Sequence, residues 1–461
     1  MQGLWLALFD SVCFMQIKIR RGGRFKGQEN DIEKKALAAH KHVRGKIEVV
    51  GRVRLKSLAD LALFYTPGVA YASTAIRDNK DMSLAYTSRW NRIAIVTDGS
   101  RVLGLGDIGP TAAMPVMEGK ALLFKRFGNV DALPLCIKAE TTEEIVAFAK
   151  AIEPTVAGIN IEDIAAPKCF DILERLQKEL DIPVFHDDRQ GTAVVVAAAL
   201  KNALKLVGKE LSAVKIVING AGSAGIGIAQ LLLSDGVTNM ILCDKRGAIY
   251  KGRQDNMNHV KELLSEHTNR DGLKGQLVDV VKGADVLIGV STKGAFTPSM
   301  IKTMAEKPIV FALANPDPEI EYNDAKAAGA AVVATGASNV PNQVNNLLAF
   351  PSIFRGTLEV EARKINTAML SAASNALASS VKRAKLTAEH IIPNFVDGDM
   401  TEITAIIAAD VAKAAMESGV ARLKVNPEDM RRKIKAELKR YMKIEGMMAK
   451  LSDGKGAQLF K

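Results

Sequence analysis

The sequence predicts an α/β protein with a doubly wound parallel sheet, preceded by a smaller α/β domain and followed by helices. Three observations support this fold class. From Val156 onward, strand-like apolar runs alternate with amphipathic runs of helical period. One of these strands is joined to the next helix by a glycine-rich turn. Apolar residues make up 48% of the chain and aromatic residues only 5%, which is typical of α/β enzymes rich in Ala, Val, Ile and Leu.

The 461 residues are enough for two or three domains. We expect a leader, two α/β domains and a helical segment, with the boundaries 1–26, 27–189, 190–350 and 351–461. Residues 1–14 are apolar but too short to span a bilayer, and the positive charges follow this run, whereas a secretory signal carries them in front. We therefore expect a start site placed too early, with Met15 as the natural start.

The elements are predicted in chain order from periodicity and turn signals. Residues 29–48 are charged and helix-prone, and RIAIVTDGSRVLGLG (92–106) predicts a hairpin around Asp98-Gly99. The later strands are predicted at VAGINIED, DIPVFHDD, AVKIVING, NMILCD, ADVLIGVS, PIVFALANP and AAVVATG. Helices are predicted at PKCFDILERLQKEL, at VVVAAALKNALKLVG, and after the glycine turn, with Gly208 and Gly236 ending the last two. Beyond about Phe350 the pattern is helical to the end of the chain.

The formal charge is +11, and two basic stretches, residues 18–26 and 424–443, contribute much of it. In the second stretch Glu428, Asp429 and Glu437 alternate with the basic residues, which predicts a solvated helix and not a face for nucleic acid. A basic surface can still attract small dianionic substrates.

The four cysteines, Cys13, Cys136, Cys169 and Cys243, are scattered and form no C-x-x-C pair. This spacing predicts reduced thiols in a cytoplasmic protein, and it disfavours a disulfide framework or a structural zinc site. No stretch of the sequence is long and apolar enough for a membrane helix, so we expect no membrane partner.

Gly220, Gly222 and Gly225 form G-x-G-x-x-G directly after a predicted strand and directly before a predicted helix. In this context the glycines allow a tight turn, close approach of a pyrophosphate, and close packing of the helix on the strand. The helix N-terminus, which includes Ser223 and Ala224, supplies N–H donors and positive potential. The turn predicts a Rossmann-type domain that binds NAD or NADP.

The choice between the two dinucleotides stays open at the end of the next strand. Asp244 lies there, about twenty residues after the turn, where an acid binds the ribose 2′-hydroxyl of NAD. Lys245 and Arg246 beside it are suited to the 2′-phosphate of NADP.

Two acidic pairs follow two neighbouring strands. Glu162 and Asp163 end INIED, and Asp187 and Asp188 end FHDD, with one helix between them. A right-handed β-α-β unit makes the two strands parallel, so both pairs emerge at the carboxyl edge of the sheet, where α/β proteins bind ligands. Converging carboxylates need a cation, and all-oxygen ligation indicates Mg²⁺ or Mn²⁺. His186 faces the other side of its strand and is expected to be a packed side chain.

Two upstream residues attract attention for their positions. Tyr65 precedes Thr66-Pro67-Gly68, a turn that would expose its hydroxyl. Lys120 follows Glu118-Gly119 at a predicted helix start, which is an unfavourable place for a cation. Taken in isolation, both patterns favour a structural role.

Several motifs taken together resemble the malic enzyme family. They occur in the family's order, between about residue 40 and residue 400: YTPGVA, TDGSRVLGLGDIGP, MEGKALLFK, NIEDIAAPKCF, FHDDRQGTA, INGAGSAGIGIA, ALANPDPEI and PNQVNNLLAFPSIFRG. The length is similar to that of the short prokaryotic form, which has no fused acyltransferase domain.

The resemblance implies oxidation of L-malate with NAD or NADP and decarboxylation to pyruvate, in a homo-oligomer such as a dimer. It implies that Tyr65 is the general acid, that Lys120 is the general base and that Asp187 orients Lys120. The implied metal ligands are Glu162, Asp163 and Asp188.

For substrate binding, the resemblance points to residues further along the chain. Asn315 and Asn345 match the family's substrate asparagines, with Asn346 adjacent, and Arg101 falls where the larger members keep a carboxylate-binding arginine. Arg189 departs from the apolar or amide residue expected at that position.

Three other enzyme classes share some of these motifs and candidate residues. A malolactic-type enzyme would give lactate, and a non-decarboxylating malate dehydrogenase would give oxaloacetate. An NAD-dependent amino-acid dehydrogenase also pairs a lysine with a Rossmann domain, but it would not need three carboxylates as metal ligands.

Overall fold

The computed structural model describes residues 26–102, 104–395 and 399–452, with side chains described between residues 33 and 447 of these ranges. The described residues begin with four helices: α1 (Lys26–Val43), α2 (Leu58–Phe64), α3 (Gly68–Asp78) and α4 (Met82–Tyr86). Neither α2 nor α3 contains a buried residue. These two helices therefore add nothing to the buried core of the chain, whereas α4 adds Leu84.

The first sheet has four parallel strands in the order β2-β1-β3-β4. Its elements are β1 (Arg92–Thr97), α5 (Gly109–Gly128), β2 (Asp131–Cys136), α6 (Thr142–Ile152), β3 (Gly158–Ile161), α7 (Lys168–Glu179) and β4 (Val184–His186). The apolar residues of β1, Ile93 to Val96, are all buried, as expected for a parallel sheet covered by helices. The carboxyl ends of β3 and β4 lie side by side.

The second sheet has six strands in the order β10-β9-β8-β5-β6-β7, all parallel except β7. Its elements are α8 (Thr192–Val207), β5 (Lys215–Asn219), α9 (Ser223–Ser234), β6 (Asn239–Asp244), β7 (Gly247–Ala248), α10 (His259–Ser265), α11 (Leu277–Val280), β8 (Val286–Gly289), α12 (Pro298–Lys302), β9 (Ile309–Ala312), α13 (Tyr322–Ala327) and β10 (Val332–Thr335). The chain moves outward from β5 in both directions, so the topological switch point lies between β5 and β8. This arrangement is the predicted doubly wound sheet.

The described part of the chain ends with four α-helices: α14 (Phe350–Glu359), α15 (Thr367–Ser380), α16 (Met400–Glu417) and α17 (Pro427–Ser452). They join the two sheets in one apolar core. The Phe354 ring packs edge-on against Phe124 of α5 and against Phe185 of β4, with centroids 5.3 and 5.6 Å apart. The helical segment therefore supports the strands that carry the acidic pairs.

The predicted strands from Val156 onward are all present, and the region beyond Phe350 is helical. Gly208 follows α8 with φ +73°, as a helix-ending glycine does. The basic helix α17 buries Met430, Ile434 and Leu438 and leaves most of its charges at the surface. None of the described helices is long and apolar enough to cross a membrane. The leader and the alternative start lie outside the described residues, except for Lys26 at the start of α1.

The predicted hairpin at residues 92–106 is wrong. β1 is a central strand whose two edges are occupied by β2 and β3, so no edge is free for an antiparallel partner. The chain turns away after β1, where Gly99 has φ +71° and Asp98 Oδ1 accepts from the N–H of Ser100 at 3.0 Å. Only an isolated bridge between Val102 and Gly106 remains.

The predicted helix start at Lys120 is also wrong. The helix α5 begins at Gly109, so Lys120 lies in its interior and not beside its positive end. Pro115 is inside this helix, although proline usually marks a first helical turn because it lacks an N–H donor. The surroundings of Lys120 must therefore be explained by tertiary contacts.

Candidate active site at the sheet edges

Three carboxylates meet where β3 and β4 end. Glu162 and Asp163 follow β3, and Asp188 lies in the π-helical turn Asp187–Gly191 after β4. One carboxylate oxygen of each lies within 4.8 Å of the others. The N–H of Asp163 donates to Asp188 Oδ2 at 3.1 Å, which ties the two strand ends together. The β-α-β unit thus brings both predicted acidic pairs to one edge.

Lys120 reaches this cluster from α5. Its Nζ lies 2.5 Å from Asp187 Oδ2 and 2.8 Å from Glu162 Oε1, and 4.4 Å from the centre of the Phe350 ring. Burial lowers the pKa of Lys120, but the two carboxylates outweigh burial and raise this pKa above its ordinary value. Lys120 and Asp187, far apart in sequence, are therefore direct partners.

The acids of the cluster carry an excess of negative charge. Burial, together with repulsion from Asp188 and Asp187, raises the pKa of Glu162 well above its ordinary value, against the attraction of Lys120. Burial also raises the pKa of Asp187, which has no exposed surface, and that of Asp188, whose side chain is 35% exposed. Carboxylates whose pKa is raised in this way are stabilised by an added cation.

The donor set fits a hard divalent cation. Glu162, Asp163 and Asp188 offer oxygen atoms alone, which Mg²⁺ and Mn²⁺ prefer, and no sulfur or imidazole ligand belongs to the group. His186 is fully buried behind the strand, as predicted, and burial lowers its pKa to about 3. Its Nδ1 lies 3.9 Å from Asp188 Oδ2, too far for a hydrogen bond.

Of the two neighbouring asparagines, Asn346 is the one that contacts this cluster. Its Nδ2 donates to Asp187 Oδ2 at 3.2 Å, and its Oδ1 accepts from Thr192 Oγ1 at 3.2 Å. Asn345 is exposed, and its side chain accepts from the N–H of Leu347 at 2.9 Å as a helix cap. Asn346 therefore supports the carboxylate that holds Lys120.

Two other substrate candidates lie on loops near the cluster. The N–H of Arg101 donates to the carbonyl of Asp163 at 2.9 Å, and its charge favours the ionised form of Asp188. Asn315 is exposed at the end of β9, just before Pro316. A Cβ at Gly104 would lie 3.6 Å from Pro316 Cδ, so the Asn315 loop borders the loop that carries Arg101.

The glycine turn lies at the switch point of the second sheet. Gly220 has φ +118°, and a Cβ at Gly225 would lie 1.7 Å from the Gly220 carbonyl oxygen, so both positions require glycine. A Cβ at Gly222 would meet nothing within 4 Å, which leaves open space beside the start of α9. Ser223 begins that helix, and Ala224 follows it. The predicted dinucleotide turn is therefore formed.

Asp244 ends β6 as predicted, but other residues of the chain surround it. Its Oδ1 accepts from Arg253 Nη1 at 3.0 Å and from the N–H of Arg246 at 2.9 Å. Its Oδ2 accepts from Lys261 Nζ at 2.7 Å, from Asn256 Nδ2 at 2.8 Å and from Arg253 Nη2. These donors outweigh burial and lower the pKa of Asp244 to about 2. The side chains of Lys245 and Arg246 are exposed beside it.

Comparison with known proteins identifies the family. The chain matches the family models for the malic enzyme N-terminal domain at residues 44–145 and the malic enzyme NAD binding domain at residues 189–416. It is 51% identical over 402 residues to the bifunctional malic/malolactic enzyme of Bacillus subtilis, covering 87% of this chain and 97% of that protein. The chain belongs to the malic enzyme family.

Two further similarities agree with this assignment. The chain is 49% identical over 381 residues to the NAD-dependent malic enzyme of Geobacillus stearothermophilus, which covers 83% of this chain and 79% of that protein. The crystal structure of malic enzyme from Pyrococcus horikoshii superposes with a TM-score of 0.88 at 46% identity, covering 91% of this chain and 99% of that one. The reaction of the family is the oxidative decarboxylation of malate with NAD or NADP.

Tyr65 is a predicted catalytic residue of this malic enzyme, and the structure does not place it in contact with Lys120. It caps the end of α2, and 64% of its surface is exposed. Within the described residues, the Tyr65 side chain has no hydrogen bond or ring contact with the acidic cluster. The turn does expose the hydroxyl, as the sequence predicted.

Arg189 now has a structural explanation. It is buried in the turn after Asp188, and its Nε and Nη2 donate to Gln230 Oε1 of α9 at 3.2 and 2.9 Å. Its guanidinium also lies 5.2 Å from the centre of the Phe170 ring. Arg189 therefore links the turn that bears the acids to the helix that follows the glycine turn.

Sequence reasoning missed several residues that support the site. Asn160 Nδ2 donates to Glu162 Oε2 at 2.7 Å, and the Phe350 ring covers the ammonium of Lys120. Asn160 lies on β3 two positions before Glu162, which directly follows the strand, so the strand period places both side chains on one face and could have identified Asn160. The Phe350 contact has no comparable local signal.

Proposed function

We propose that this malic enzyme converts L-malate to pyruvate and CO₂ with reduction of NAD or NADP, with Lys120 as general base and Glu162, Asp163 and Asp188 as ligands of Mg²⁺ or Mn²⁺. The observation that carries the proposal is the contact of Lys120 with Asp187 and Glu162, at an edge where three carboxylates converge. A cation held by the three carboxylates would oppose their attraction for the ammonium and lower the pKa of Lys120, and the neutral amine could then take a proton from a bound hydroxyl.

In this mechanism Glu162, Asp163 and Asp188 would hold the divalent cation, which would supply Lewis-acid polarisation of malate and offset the negative charge of the cluster. Lys120 accepts the proton of the C2 hydroxyl while the C2 hydrogen leaves as hydride to NAD(P)⁺. Asp187, held by Asn346, orients Lys120 for this transfer. The C4 carboxylate of the resulting keto acid then leaves as CO₂, and Tyr65 donates a proton to C3.

The exposure of Tyr65 supports an oligomeric enzyme. Proton transfer to C3 is efficient only where water is excluded, yet α2 and α3 bury no residue within this chain. Leu58, Leu63 and Phe64 add exposed apolar surface around Tyr65. We propose a homo-oligomer, a dimer or a multiple of it, in which a second copy covers this surface.

The free cysteines Cys136, Cys169 and Cys243 support a cytoplasmic location.

The direct test is malate-dependent formation of NADH and NADPH, with and without Mn²⁺, with separate detection of pyruvate, lactate and oxaloacetate. We expect pyruvate, and we expect EDTA to abolish its formation. Lactate as the main product would indicate a malolactic enzyme, an activity named for the relative from Bacillus subtilis. Oxaloacetate alone would indicate a dehydrogenase, and activity that survives EDTA would contradict the cation site.

The role of Tyr65 has its own test. Tyr65→Phe keeps the ring and removes the proton, so pyruvate formation should fall by roughly 10²-fold or more and hydride transfer by less. Tyr71→Phe, at an exposed tyrosine of α3, is the matched control. Wild-type turnover in the Tyr65 variant would remove this residue from the mechanism.

A further inference from the structure

Glu319 is a buried acid that the proposed mechanism does not use. It has no exposed surface, and it lies after β9 in the loop that follows Asn315. Its Oε1 accepts from the N–H and the Oγ of Ser291 at 2.7 and 3.0 Å, and its Oε2 accepts from the N–H of Ala314 at 3.0 Å. The carboxylate therefore joins the loop after β8 to the loop after β9.

The end of β8 is shaped around this carboxylate. A Cβ at Gly289 would lie 2.4 Å from Glu319 Cδ, so a larger residue there would displace the acid. Burial raises the pKa of Glu319, opposed by the N–H and hydroxyl donors, and among the described residues it has no salt bridge. Burying an acid without a cation costs stability, so a gain in stability does not explain why Glu319 is buried. A role in the site does explain it.

The contacts continue from Glu319 to the cofactor turn. The Oγ of Ser291, which donates to Glu319, also accepts from Asn219 Nδ2 at 2.9 Å. Asn219 is the last residue of β5 and directly precedes Gly220. One hydrogen-bonded chain, Asn219–Ser291–Glu319–Ala314, therefore spans the ends of β5, β8 and β9 across the switch point.

We propose that Glu319 is a positioning residue that fixes the Asn315 loop relative to the cofactor turn and so sets the geometry in which malate meets the nicotinamide. This inference rests on the proposed function, because it assigns Asn315 to the substrate. Ala314 immediately precedes Asn315, and its N–H is held by the carboxylate, so a change at Glu319 reaches the substrate through a single residue. Small misplacements of reacting groups reduce rates strongly.

The test is Glu319→Gln, with Glu321→Gln at an exposed neighbouring glutamate as the matched control. Glutamine has the same shape, but its NH₂ group must face either the Ser291 or the Ala314 N–H, where an acceptor is needed. We expect kcat/KM for malate to fall by roughly 10-fold to 100-fold. Two binding constants should change by less than about 3-fold: the Kd of NADH or NADPH, followed by fluorescence, and the Kd of Mn²⁺. A general loss of structure would instead weaken dinucleotide binding and Mn²⁺ binding together with kcat/KM for malate.

Ser291→Ala provides a second variant in case the glutamine variant does not fold. It removes the hydroxyl and keeps both backbone contacts to Glu319, so we expect a malate effect of about 3-fold in the same direction. Values of kcat/KM for malate within error of wild type in the folded Glu319 variant, or in Ser291→Ala if only that one folds, would overturn the proposal. If the wild type shows no malate-dependent activity, the proposed function fails first and the positioning role fails with it.

Discussion

The carboxyl edges of the two sheets both bury carboxylates, but they balance the charge in opposite ways. At the first edge four acids lie close together, and two of them, Glu162 and Asp187, contact the ammonium of Lys120. The other two are Asp163 and Asp188. In the second sheet the carboxylate of Asp244, at the end of β6, faces the side chains of Arg253 and Lys261. This strand end is called the balanced edge below. Both edges occupy the same place in their sheets, where α/β proteins bind ligands.

The pKa values follow this difference. At the first edge, burial raises the pKa values of Glu162, Asp187 and Asp188, and repulsion from neighbouring acids adds to this effect at Glu162 and Asp187. At the second edge, the paired cations lower the pKa of Asp244 to about 2, despite its burial. A carboxylate at a sheet edge is therefore a cation ligand or an internal anchor depending on its partners. The acid-rich edge needs a cation from outside the chain, and the balanced edge does not.

The largest expected effect comes from removing one charge at the acid-rich edge. Asp188→Asn should abolish turnover and weaken Mn²⁺ binding, because one ligand of a hard-cation site is lost, while binding of NADPH or NADH stays nearly intact. Wild-type protein should gain about 2.7 kcal/mol of stability from Mn²⁺ at 100 times its Kd, and the variant should gain much less. Asp78→Asn, at an exposed acid of α3, is the control. Unchanged Mn²⁺ affinity in the Asp188 variant would contradict the assignment of Asp188 as a metal ligand.

The next effect concerns the lysine that contacts this acidic cluster. Lys120→Ala should lower malate oxidation by roughly 10²–10⁴-fold, because the hydroxyl proton then has no acceptor. Mn²⁺ binding should persist, since the three carboxylate ligands remain. Lys125→Ala is a matched control on the same helix, at a lysine paired with Asp131. A variant with near wild-type oxidation rates would show that Lys120 only neutralises its neighbours.

The sequence was informative about the acid-rich edge because strand-end positions follow from local periodicity. Two apolar strands, each ending in an acidic pair with one helix between them, are sufficient to place Glu162 and Asp188 together. Lys120 was recognised by its motif, but its helix was misplaced because Pro115 lies inside a helix that had already begun. Its contacts depend on how α5 packs on the sheet, which no local pattern describes.

The balanced edge was harder to predict. Asp244 alone suggested a ribose ligand, and its two cationic partners come from a loop and from the short helix α10. Neither Arg253 nor Lys261 stands in a periodic relation to β6, so no sequence pattern linked them to Asp244 in advance. Glu319 was missed for a similar reason, because its contacts join loops after different strands.

Replacing one acid at each edge should change the free energy of unfolding in opposite directions. Asp244→Asn leaves Arg253 and Lys261 buried without their anion, with side chains 5% and 8% exposed, and should lower the free energy of unfolding by about 3 kcal/mol. In metal-free protein, Asp188→Asn should have the reverse sign and raise stability slightly, because it relieves repulsion. Urea unfolding in EDTA measures both, with Asp255→Asn at an exposed acid as the control. Destabilisation of equal size by the two substitutions would contradict the contrast.

The smallest expected effect is in the pH dependence of these differences. The folded pKa of Asp244 is about 2, below its ordinary 3.8, so its contribution is fully present above pH 4 and is lost as the pH falls towards 2. The stability gap between wild type and Asp244→Asn should therefore be constant from neutral pH to about pH 4 and close below it. At Asp188 the raised pKa has the opposite sign: the ionised form destabilises the metal-free fold above that pKa, and protonation relieves the penalty as the pH falls. The stability advantage of Asp188→Asn over wild type should therefore begin to shrink at a higher pH than the stability gap between wild type and Asp244→Asn. Urea titrations in EDTA across the acid range measure both differences. The reverse order would contradict the electrostatic contrast between the two edges.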